Sequence, residues 1–182
     1  AASDVYKRQF LQLLLSKKVF LVEGATEFLL LPMFYRQITE HTIEEDGISV
    51  ISCNGISYKR YLEIAKATDK RIAVVTDNDE KAHRITKADS FNQANNLQHI
   101  FMGKTVADWT WEACIYKENK ETLDKMIAVK AGATYTFHGK DYGAVLGKML
   151  NHKVDVAYQM LTSGKTFTVP QYITDAIEWL RK

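Results

Sequence analysis

Along the N-terminal half of the chain, apolar residues switch between short continuous runs and helical spacing. Val19-Phe20-Leu21-Val22 is an uninterrupted apolar run with β-branched and aromatic members, which predicts a strand buried on both faces. Glu23-Gly24 ends it. From Ala25 to about Ile38 the apolar residues recur at helical spacing, with Thr26 as a candidate cap and Glu27 in the first turn. Pro32 should kink that helix, because proline has no N–H to donate to the preceding turn. Gly47 to Ser52 alternates and is β-branched, which predicts a strand. Asn54-Gly55 is a turn signal, and Ser57 to Ala67 has a helical stripe of Tyr61, Leu62, Ile64 and Ala65. Arg71 to Thr76 is the clearest buried strand, and it runs directly into Asp77-Asn78-Asp79. The polar stretch from Glu80 to Asn96 reads as loop and short helix, and His99 to Met102 as a short strand.

Strand, helix, strand, helix, strand, connection, strand is the order of an α/β domain with a mostly parallel sheet flanked by helices. After Gly103 the pattern becomes helical: Trp109 to Tyr116, Lys120 to Ala131, Tyr142 to Leu161 and Gln171 to Arg181. The organisation expected is an N-terminal segment over residues 1–17, a core over 18–104, and a helical extension over 105–182 that completes the same domain. Within the first segment, Ser3 to Gln9 resembles a translated sequencing adapter, so it is set aside from the fold reading.

Composition changes this picture little. The 182 residues are 46% hydrophobic and 25% charged, ordinary values for a globular domain with a core of its own. The net charge of +2 is too small for a strongly basic nucleic-acid binder, but acidic metal ligands would offset basic phosphate contacts. Cys53 and Cys114 match no zinc spacing and read as reduced structural thiols, which fits a reducing compartment, the cytoplasm. No apolar run is long enough to span a bilayer. The five histidines show no paired ligand spacing, and no serine has triad context.

The chemistry is carried by acids. In a parallel sheet all strands end at one edge, and ligands bind there. Glu23 follows the first strand; Asp77 and Asp79 follow the third. If those strands are neighbours, three carboxylates converge. Carboxylates that converge repel one another unless a cation neutralises them, and Mg²⁺ or Mn²⁺ prefers such hard oxygen ligands. Gly24 leaves room for close approach, and Glu27 lies one helical turn beyond Glu23. These acids are enough for one or two ions of the kind that drive phosphoryl displacement. Either acidic motif alone more often marks a solvated turn; together, at two strand ends, they point to a metal edge. A basic stretch at Lys59, Arg60, Lys66, Lys70 and Arg71 is either a solvated face or a nucleic-acid contact. Trp109, Trp111 and Trp179 read as packing residues.

Val22-Glu23-Gly24-Ala25-Thr26-Glu27, Leu31-Pro32, Asn54-Gly55 and Thr76-Asp77-Asn78-Asp79 together resemble the Toprim domain of the overcoming-lysogenization-defect (OLD) nucleases, the group that includes the Gabija defence endonuclease subunit. The Glu-Gly and Asp-x-Asp parts are shared with topoisomerases, primases and RNA-maturation nucleases; Glu27, Leu-Pro and the helical tail narrow the likeness to OLD. The resemblance implies a Rossmann-like Toprim fold and a Mg²⁺- or Mn²⁺-dependent endonuclease of phage defence acting on DNA. It further implies metal ligands at Glu23, Glu27, Asp77 and Asp79. The family's Thr-Leu-Glu-like motif reads Thr110-Trp111-Glu112 here, which adds Glu112 as a ligand. Its late lysine at a helix start falls on Lys153, with Lys148 and Lys165 as rivals, and such a lysine would neutralise charge on the transferred phosphate. Glu23, Asp77, Asp79 and Lys153 are thus the expected catalytic residues. Family members join this domain to an N-terminal ATPase, through which a homo-oligomer would form. This chain has no phosphate-binding loop: Gly143 to Met149 has the wrong spacing and lacks the hydroxyl, so no ATP site is expected. The alternatives are a Mg²⁺-binding, receiver-like regulatory module that cuts nothing, and the Toprim domain of a topoisomerase or primase.

Overall fold

The computed structural model describes residues 2–55 and 57–182, without the side chains of residues 2–6. Its centre is a four-stranded parallel sheet in the order β2-β1-β3-β4. The strands are β1 (Lys18–Val22), β2 (Ile48–Ser52), β3 (Arg71–Val75) and β4 (Gln98–Phe101). The central pair, β1 and β3, have four of five residues buried, as continuous apolar runs covered on both faces should. Helices α2 (Ala25–Thr39), α3 (Tyr58–Ala65) and α4 (Ala82–Ala94) make the crossovers. Two apolar layers result. One, around Phe20, Phe34, Tyr35 and Trp111, lies between the sheet and α2, α5 (Trp111–Met126), α7 (Lys153–Thr162) and α8 (Gln171–Arg181). The other, around Leu21, Tyr61 and Val74, lies under α1 (Ala2–Leu15), α3 and α4.

The sheet and its helices follow the sequence reading closely, with two departures outside α2, which runs through Pro32 to Thr39 as one helix. Leu30, Leu31, Phe34 and Tyr35 around the proline are all fully buried, and their packing holds the helix together across the missing hydrogen bond. Residues 82–94 form one helix, not loop and short helix. Only Ala88 of that helix is buried, so it lacks the apolar stripe that periodicity detects. Part of the segment set aside on sequence also packs into the fold. The Gln9 side chain donates to the Ser52 carbonyl (2.7 Å) and accepts from the Tyr61 hydroxyl (2.9 Å), while Phe10 stacks on Tyr61. Residue 1 of the 1–17 segment lies outside the described residues.

The C-terminal region departs further. The two helices expected over Trp109–Tyr116 and Lys120–Ala131 are found as the two halves of α5, which meet at a break in the backbone at Asn119. Asn119 donates to the Ile115 and Thr168 carbonyls and accepts from the Thr168 N–H, which ties the break to the segment before α8. The helix expected over Tyr142–Leu161 is three elements. Lys140–Gly143 is strand β6, paired with β5 (Thr134–Phe137) in a hairpin; α6 (Ala144–Asn151) follows, and His152 separates it from α7. His138 and Gly139 both have positive φ, the conformation of a tight two-residue hairpin turn. That turn and the Thr-Tyr-Thr-Phe alternation before it were the available sequence signal.

Candidate metal centre

The site begins with strand register. Val22 of β1 pairs with Val75 of β3, so the residues that follow them, Glu23 and Thr76, leave the sheet side by side. The Thr76 hydroxyl donates to the Glu23 carboxylate. Gly24 starts α2, and the place its Cβ would take lies 3.3 Å from Glu27 Oε2. A side chain at position 24 would crowd the Glu27 carboxylate, which explains the glycine beside the acid.

After β3 the chain turns sharply. Asn78 is fully buried, and its amide donates to the carbonyls of Gly103, Thr105 and Asp108 at 2.8–3.0 Å. Its carbonyl accepts from the Glu80 N–H (3.0 Å). Asn78 therefore fastens the loop between β4 and α5 to the end of β3. Gly103 makes that approach possible, because the Asp108 carbonyl occupies the place a Cβ would take. The fastened loop delivers the start of α5 to Asp77, whose Oδ1 accepts from the Trp111 N–H at 2.8 Å. A carboxylate at a helix N-terminus is a favourable pairing with the helix dipole. Asp79 and Glu80 have positive φ, and the Asp79 N–H bonds the Trp109 carbonyl (3.1 Å).

Glu112 lies in the first turn of α5, almost fully buried. Its Oε2 accepts from the Thr110 hydroxyl (2.7 Å) and from Lys153 Nζ (3.0 Å). Lys153 begins α7, where the family resemblance put it and the single helix expected over Tyr142–Leu161 did not. Its rivals are elsewhere: Lys148 bonds the Ala128 carbonyl, and Lys165 is exposed in the connection to α8.

Five acids thus gather at one edge, and they divide into two sets around two cations. Arg84 of α4 pairs with Asp79 and lies 3.8 Å from Glu23. Lys153 pairs with Glu112 and acts on Asp77 and Glu27. Arg84 carried no sequence signal, because residues 80–96 gave no helix register to aim it.

Burial pushes the Glu27 carboxyl up to about 7. Its own backbone N–H and Lys153 oppose the rise, while Glu112 and Glu23 add to it. Burial also raises Asp77 well above the usual carboxylate range, helped by the charges of Glu112, Glu23 and Glu27. Lys153 loses to burial but gains more from the Glu112 charge and hydrogen bond, so its ammonium is held above its ordinary range. Repulsion among buried carboxylates is the electrostatic condition that a divalent cation relieves. The donors are all hard oxygens, which suits Mg²⁺ or Mn²⁺. Among the described residues, no three such side chains already close on one point. The donor set fits a cation, with Arg84 and Lys153 now holding the charges it would take over.

Asp77, Asp79, Trp109, Thr110, Phe137 and Lys153 line an open cleft of about 490 Å³ at this edge. Its far wall is the β5–β6 hairpin, which sequence reading missed. Trp109 packs against Phe137 and Tyr142, and Lys140 pairs with Glu80.

Residues 14–79 match the family described as "Overcoming lysogenization defect protein-like, TOPRIM domain". The matched stretch runs from the end of α1 to Asp79. Solved structures share the fold. The C-terminal region of the Burkholderia pseudomallei OLD protein gives a TM-score of 0.56 at 15% identity, covering 92% of this chain and 98% of that one. The C-terminal region of the Xanthomonas campestris pv. campestris OLD protein gives 0.57 at 16% identity, covering 92% and 95%. At these identities the likeness is one of fold. No curated protein sequence matches the chain.

Proposed function

From the match of residues 14–79 to the OLD-like Toprim domain, we propose that this chain is the catalytic part of a divalent-metal-dependent endonuclease acting on DNA. The observation that carries the reading is the gathering of Glu23, Glu27, Asp77, Asp79 and Glu112 at one sheet edge, with Glu27 and Asp77 raised by burial and by one another. These residues would hold one or two Mg²⁺ or Mn²⁺ ions, which when bound would supply an activated water and a counter-charge for the phosphate.

The chain's own groups do the rest. Thr76, Thr110 and the Trp111 N–H orient the carboxylates of Glu23, Glu112 and Asp77, leaving their other oxygens for the cation. Lys153, already charged at the cleft wall, neutralises the phosphate as negative charge develops on it. Asn78 keeps the two acidic segments in register. In this reading the chain works with a preceding ATPase module in a cytoplasmic homo-oligomer, the arrangement that the resemblance implies. Among the described residues, no helix is long and apolar enough to cross a membrane.

The test is nicking of supercoiled plasmid with Mg²⁺ or Mn²⁺. Cutting by the parent chain that is lost on chelation and lost in Asp77→Ala is the expected result. Equal cutting by Asp77→Ala and Glu23→Ala would remove the proposal.

A further inference from the structure

Beside the acidic cleft lies a second one of opposite character. Helices α3 and α4 diverge over the β3–β4 side of the sheet and leave a groove of about 580 Å³. Its rim carries Lys59 from α3, Lys66 just after it, Lys81 just before α4, and His83, Arg84 and Lys87 from α4. One acid, Glu63, shares the rim; it lies 4.0 Å from Lys66 with both side chains exposed, a pairing of little strength. The floor is apolar, formed by Leu62, Ala88, Phe91 and Ile100, and Tyr58 stands half-buried at one end.

The basic stretch read from sequence is divided by the fold. Lys70 turns inward to the Leu14 and Ser16 carbonyls, and Arg71 lies over the Trp179 ring. Only Lys59 and Lys66 of that stretch face the groove, and α4 supplies the other bases. Two residues join the clefts: Lys81 lines both, and Arg84 reaches from the groove to Asp79 and Glu23.

We infer that the α3–α4 groove is the track for one strand of the nucleic-acid substrate, leading it across Lys81 and Arg84 to the acidic edge. This deepens the nuclease reading and rests on it. The argument is charge and shape together. Phosphates spaced along a strand match a double row of lysines, and the face of an unstacked base matches an apolar floor with aromatic members. The volume is that of a small-ligand pocket, about 300–1,000 Å³, so it takes a short stretch of single strand and not a duplex. A free nucleotide shares this chemistry, and the test separates the two.

The experiment measures binding of a fluorescein-labelled single-stranded oligothymidylate by anisotropy, in chelator, over a range of salt. The triple variant Lys59→Ala, Lys66→Ala, Lys87→Ala should bind at least about tenfold more weakly near 0.1 M salt. Its slope of log affinity against log salt should be shallower by about 2, from ~0.7 per lost phosphate contact. A control variant with Lys120, Lys125 and Lys130 changed to alanine removes the same charge elsewhere and should bind like the parent. An iodouracil-substituted strand should photocrosslink to the peptides bearing Tyr58 or Phe91. Unchanged slope and affinity in the groove variant would overturn the inference. So would equal loss in the control, crosslinks only elsewhere, or capture of thymidine monophosphate in preference to the strand. Because binding is read without metal, its outcome is separate from cutting: a groove that binds in a protein that never cuts leaves the track standing and removes only the nuclease reading.

Discussion

Two clefts meet at Arg84 with opposite electrostatics. At the acidic edge Glu27 and Glu112 are 8% and 3% exposed, while Glu23 and Asp79 reach solvent beside Arg84. The basic one carries its lysines on an open rim in water. The contrast shows where each kind of charge does its work. Buried carboxylates repel strongly, since charges interact more strongly as the local dielectric falls, and they favour a nearby positive charge. Solvated lysines gain little from any fixed partner and are suited to a long, mobile polyanion.

The sharpest break in that comparison is removal of an acid. Asp77→Ala or Glu23→Ala should lower metal-dependent cutting on the order of 10²–10³-fold, the rate equivalent of several kcal/mol of lost metal stabilisation. Single-turnover nicking measures it. Lys153→Ala should cost about 10²-fold in the same assay even at saturating metal, because its part in the reaction is charge on the phosphate.

Asn78→Ala should lower stability by about 2–3 kcal/mol in urea unfolding, since it strips donors from buried carbonyls. Parent-like stability would mean that the β4–α5 loop is held by other contacts.

Glu27 gives the pH signature of the buried side. Its folded pKa of about 7 exceeds its ordinary 4.5, so the metal-free folded state binds more protons than the unfolded one between those values. The associated stability is fully present below about 4.5 and declines as pH rises toward 7, by about 3 kcal/mol at most. Glu27→Gln should flatten that dependence. Because a ligand must be deprotonated, Mg²⁺ affinity of the parent should climb with pH up to about 7, with proton release on binding read by calorimetry in buffers of different ionisation enthalpy. A flat profile would place Glu27 outside the metal's reach. The smallest effect expected is on Gly24→Ala, a few-fold loss in metal affinity as the added methyl presses on Glu27.

The sequence by itself determined the sheet and the edge at which its acids emerge. Val19–Val22 and Arg71–Thr76 are continuous apolar runs, and the acids after them had to emerge at the strand ends. Lys153 at a helix start was legible through family resemblance. The tertiary structure decided what those acids meet. That β1 and β3 are neighbours, that Arg84 closes on Asp79, and that Asn78 draws Trp111 to Asp77 are contacts between segments distant in sequence, and no local period encodes them. The C-terminal region resisted reading for a related reason. Its hairpin is half exposed, α6 and α7 part at His152, and α5 breaks at Asn119, where bonds to the Thr168 backbone outweigh local propensity. The basic groove combines both lessons: its lysines were countable in the chain, but only the placement of α3 and α4 on the sheet chose which of them line one groove.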